Sequence, residues 1–91
     1  MDKIIEEAKS LREDIDSLPE IKEYYRLKEL YENDQTLKEM RRDIARLKSE
    51  GKEEERNNLL QIYYSHPLVN NYEMAKEEAE HILLVIKNII Q

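Results

Sequence analysis

The chain has 91 residues, 40% of them charged, with one glycine, two prolines, no cysteine and a formal net charge of −6; an average globular chain carries about 25% charged residues and about 7% glycine. So few turn residues exclude a sandwich or barrel, the missing cysteines exclude a disulfide scaffold, and no apolar run reaches the roughly 18 residues of a membrane span. The acidic balance, with a pI near 5.0, argues against a broad phosphate-binding face and against docking on anionic lipid.

A mean hydropathy of −0.89 would permit disorder, but the regular apolar spacing predicts helices. The expectation is an all-α fold, an antiparallel helical bundle of four to five helices in one domain over residues 1–91. The helices are placed at about 2–16, 18–32, 34–50, 53–64 and 67–90. MDKIIEEAKS lacks the apolar centre and cleavage site of a signal peptide, and cysteine is absent, so a cytoplasmic location is expected.

Ile4, Ala8, Leu11, Ile15 and Leu18 repeat at four- and three-residue spacing, one stripe of an amphipathic helix that Ile5 widens. Ser17-Leu18-Pro19-Glu20 then reads as a capping box with proline in the first turn. The second helix should carry Ile21, Tyr24, Tyr25, Leu27, Leu30 and Tyr31 inward. Polar Asn33-Asp34 interrupts the stripe at two good N-cap residues, and Leu37, Met40, Ile44 and Leu47 resume it. Gly51, the one glycine, suggests a left-handed C-terminal cap. Acidic Glu53, Glu54 and Glu55 suit the start of a short fourth helix, where the helix dipole favours negative charge. Its apolar content is Leu59, Leu60, Ile62, Tyr63 and Tyr64.

Ser65-His66-Pro67 stops that helix and starts the last one, with proline at the first helical position and His66 as its cap. Leu68, Tyr72, Ala75, Ala79, Ile82, Ile86 and Ile89 form the most regular stripe in the chain. From Ile82 onward, Leu83, Leu84, Val85, Ile86, Ile89 and Ile90 surround the helix. A helix apolar all round must be covered all round, and at 1.5 Å per residue this one runs roughly 36 Å. A compact chain of this length has a radius of gyration of only about 12 Å. One copy therefore looks too small to cover both ends, and association through Ile82, Leu83, Leu84, Val85, Ile86, Ile89 and Ile90 is expected. The occupant would be a second copy, in a homodimer or tetramer, or another protein subunit.

Catalytic chemistry has little to draw on. The serines lack the glycine neighbours of a nucleophile elbow, and a single glycine excludes the phosphate-cradling loops. Glu78 and His81 form a Glu-x-x-His, the spacing that puts two metal ligands on one helix face. They sit at the margin of the stripe, and a solvated helix face explains them better, so no metal and no cofactor are expected. Lys38, Arg41, Arg42 and Arg46 make one face locally basic, able to meet RNA phosphates or an acidic partner. Interleaved Glu39, Asp43 and Glu50 offer ordinary intrahelical pairing instead. The six tyrosines read as core or interface residues rather than base-stacking platforms. Direct nucleic-acid binding and a small-molecule substrate are both disfavoured.

The run Leu18-Pro19-Glu20 through Tyr24 and Leu27, the Asp34…Leu37…Met40 segment, and His66-Pro67-Leu68-Val69-Asn70-Asn71-Tyr72 leading into Ala79, Ile82 and Ile89 resemble the YlbF/YmcA family of small bacterial helical proteins. The resemblance covers nearly the whole chain. It implies an all-α fold, oligomers built through long helices and no enzyme activity. It also implies regulation alongside a larger partner protein in competence, sporulation and biofilm control, with an effect on RNA processing by a membrane-anchored endoribonuclease. Some members of that complex hold iron–sulfur clusters through cysteines, and with no cysteine here such a cluster is not carried over. By the same resemblance, Pro67 marks the helix start, and Val69 and Tyr72 lie on the contact face.

Overall fold

The computed structural model describes residues 2–90, and every regular element among them is a helix. The order is α1 (Asp2–Asp16), α2 (Pro19–Asn33), α3 (Gln35–Ser49), α4 (Glu53–Ser65) and α5 (Pro67–Ile90). Local chemistry explains each boundary. Pro19 opens α2 because the first helical position has no amide bond to lose, and it forces Leu18 into extended backbone at φ −63°, ψ 136°. Leu18 is therefore the N-cap, and its side chain caps nothing.

The capping box expected at Ser17 does not form. Ser17 stands one position outside α2 and turns its hydroxyl back to donate to the Asp14 carbonyl at 2.8 Å, closing the end of α1. The α2–α3 break does follow the polar pair. Asp34 is the N-cap of α3, its Oδ1 accepting from the Leu37 amide at 2.9 Å. Helix α3 ends in a Schellman motif: the Lys52 amide donates to the Leu47 carbonyl and the Gly51 amide to the Lys48 carbonyl. Gly51 sits at φ 72°, the one positive-φ residue described, where a side chain would strain the turn. His66 caps α5, its Nδ1 accepting from the Leu68 amide at 3.1 Å.

The core lies where α3, α4 and the start of α5 meet. Leu37, Tyr63 and Val69 are buried together, with Tyr31, Met40, Ile44 and Leu68 packed around them. Ile21 and Leu27 of α2, Leu47 of α3 and Tyr72 and Ala79 of α5 are buried as well. No polar or charged residue described is fully buried. The stripe of α2 is narrower than the sequence suggests, because Tyr25 and Leu30 reach solvent.

Helix α1 stands apart from this core. It contains no buried residue and meets only α2, at their junction. The chain is accordingly extended, 55 × 22 × 21 Å with a radius of gyration of 18.1 Å, against about 12 Å for a compact chain of this length. Among the described residues, no helix is long and apolar enough to cross a membrane.

Candidate association surface

Helix α2 has 15 residues and α5 has 24, or roughly 22 Å against 36 Å at 1.5 Å per residue. Leu27 and Glu23 of α2 lie beside Asn71, Ala75 and Glu78 of α5, so α2 is used up on the first part of α5. Beyond Ala79 the cover fails. Ile82 and Ile86 are half-buried, whereas Leu83, Val85 and Ile90 are exposed, Leu84 is 55% exposed and Ile89 is 76% exposed. A second apolar strip lies open on α1, where Ile4 is 71% exposed and Ile5 and Leu11 also face solvent.

Val69 and Tyr72 behave differently from the rest of the expected contact set. Val69 has no exposed surface and Tyr72 is buried, both committed to the chain's own core. The contact face that they mark here is intramolecular, because α2, α3 and α4 close over the beginning of α5.

Tyr72 also belongs to an arrangement that sequence reading missed. All six tyrosines form a continuous ladder across α2, α5 and α4. Tyr25 meets Tyr24 at 5.5 Å between ring centroids, and Tyr24 meets Tyr72 at 6.0 Å. Tyr72 stacks on Tyr31 at 4.2 Å with planes 9° apart, and Tyr31 reaches Tyr63 at 6.5 Å. Tyr63 meets Tyr64 edge-on at 5.3 Å. The Tyr31 and Tyr63 hydroxyls share a hydrogen bond. Placing the tyrosines on apolar stripes was the visible signal; which rings touch depended on the packing of helices distant in sequence.

Arg41 is drawn into this ladder. Its Nη1 donates to the Tyr63 hydroxyl at 3.4 Å, and its guanidinium lies 4.6 Å from the Tyr31 ring centroid. Partial burial works against its charge, but the phenolic groups of Tyr63 and Tyr31 outweigh that and hold its pKa above the ordinary arginine value. Burial raises the pKa of Tyr63, as does its bond to Tyr31, while Arg41 opposes the shift. Tyr72 is raised in the same direction by burial and then by Tyr24, Glu73 and Glu32.

The other residues of the expected basic face differ in how they are engaged. Arg46 is engaged by Glu50 at 3.2 Å and Asp43 at 4.0 Å, and Lys52 pairs with the same Glu50 at 3.3 Å. Lys38 and Arg42 enter no ion pair among the described residues. Glu78 and His81 are both exposed on α5, and no group of three or more metal-ligating side chains gathers among the described residues.

Compared with known proteins, the chain matches over residues 4–91 the family model described as control of competence regulator ComK, YlbF/YmcA. No curated protein and no solved structure matches it.

Proposed function

The chain belongs to the YlbF/YmcA family, a regulatory family, and from that premise we propose that it is a non-enzymatic adaptor that regulates by protein–protein association. The observation that carries the reading is the pair of uncovered apolar strips, on α1 and on the last turns of α5. Exposed apolar patches of this kind mark contacts with other protein surfaces. Ile82, Leu83, Leu84, Val85, Ile86, Ile89 and Ile90 form the contact on α5, and Ile4, Ile5 and Leu11 extend it on α1.

The first occupant is a second copy of the chain, in a homodimer or tetramer, with other subunits of a regulatory complex docking on what remains free. Each copy is one α-helical unit in which α2 runs antiparallel to α5. The stacking of Tyr31 on Tyr72, with Glu23 from earlier in α2 lining the same cleft as the more distal Glu78 of α5, supports that direction. The adaptor works in the cytoplasm, takes no cofactor and turns over no substrate.

Light scattering on the size-fractionated protein, over a tenfold concentration range, tests the reading. A mass of two or four chains that persists on dilution supports self-association. A monomer that also captures no other protein through α5 would sink it.

A further inference from the structure

We propose that the N-terminal half of α3, with the tyrosine hydroxyls beside it, is a docking site for a short acidic segment of a partner protein. Lys38, Arg41 and Arg42 stand at i, i+3 and i+4, so they share one helix face. That face holds three cations and no ion pair among the described residues. One turn later on the same helix, Arg46 has two carboxylates. Lys48, near the helix end, is unpaired among the described residues as well, but the open cations that stand within one turn of each other are the three at the end bordering the ladder.

Arg41 is the centre of the site. Guanidinium offers five N–H donors in a fixed plane, and here one of them reaches the Tyr63 hydroxyl, a long contact at 3.4 Å. Stacking on Tyr31 fixes the plane without consuming the other donors. A pre-ordered, half-exposed guanidinium with only neutral partners is set to take a carboxylate in two-point fashion. Lys38 and Arg42 supply a second and third charge within one helical turn, a spacing that suits neighbouring glutamates or aspartates.

The observations favour an acidic protein segment over RNA. Three cations neutralise only a few phosphates, and the chain's net charge of −6 repels a long polyanion once it extends past the patch.

A fluorescein-labelled hexaglutamate peptide, titrated with the full-length protein at low salt, tests the proposal. The protein has six tyrosines and no tryptophan, so its intrinsic emission reports on the ladder itself. Saturable binding with a change in tyrosine emission is the expected result. Arg41→Gln should weaken it about tenfold, and Lys38→Gln/Arg42→Gln by a similar factor. Arg46→Gln should change it by less than about twofold, because that charge is already paired. The Lys38→Gln/Arg42→Gln variant leaves the ladder contacts intact and decides the matter if Arg41→Gln fails to fold. Equal losses in the Arg46 variant, no saturable binding, or tighter binding of oligouridine that is lost in the same variants would each overturn the proposal. The last of these would make the patch an RNA contact.

Discussion

Helices α1 and α3 have the same length and the same alternation of four- and three-residue apolar spacing, yet they end in opposite situations. Helix α3 buries Leu37 and Leu47 and half-buries Met40 and Ile44, whereas α1 buries nothing. The two halves of α5 repeat the contrast. Val69, Tyr72 and Ala79 are enclosed, and Leu84, Ile89 and Ile90 are open. An apolar stripe tells a helix which way to face, but coverage depends on a second element long enough to reach it. Helix α2 runs out before α5 does, and α1 has no third element to lean on.

That contrast can be broken most forcefully in the packed region. Leu37→Ala removes a side chain with no exposed surface and should cost about 2–5 kcal/mol, read as a lower urea midpoint at every protein concentration. Leu84→Glu should do the reverse. It is expected to reduce the assembled mass in light scattering while helix content by circular dichroism is kept, since surface substitutions usually shift the stability of a folded chain by within about 0.5 kcal/mol. A fall in stability for Leu84→Glu as large as that for Leu37→Ala would mean that the end of α5 is part of the core.

The ladder sharpens the comparison at a smaller scale. Tyr31→Phe keeps the stacking on Tyr72 and removes the hydroxyl that bonds Tyr63, with an expected loss of about 0.5–1.5 kcal/mol measured by thermal unfolding. The raised pKa values of Tyr63 and Tyr72 give a pH signature. Both groups hold their proton more tightly in the fold than in the unfolded chain, so their contribution is complete below about pH 10, the ordinary tyrosine value. It is lost as pH rises through the folded values. The melting temperature should fall as pH rises above about 10, together with growth of tyrosinate absorbance. A flat profile over that range would remove the ladder from the stability of the fold.

Much of this architecture was legible in the residue order. Asp34, Gly51, His66 and Pro67 act locally, each satisfying or sparing backbone groups within a few residues, and so their roles are carried by the sequence itself. The failure at Ser17 was also local: a proline two positions later shifted the cap to Leu18 and freed the serine to turn back on α1. The basic face of α3 was visible as well. The Arg46 pairs with Asp43 and Glu50 followed from three- and four-residue spacing, but the engagement of Arg41 was hidden, because Tyr31 and Tyr63 belong to other helices.

The sequence by itself determined that the chain is all-helical, roughly where the helices break, and the general course of their apolar stripes. Periodicity and capping are short-range properties that need no knowledge of the rest of the chain. Only the tertiary structure decided which of those faces are covered, that six tyrosines form one ladder, and that Arg41 is held by two of them. Burial and ring contact join residues tens of positions apart, and helix lengths and junction angles set those meetings.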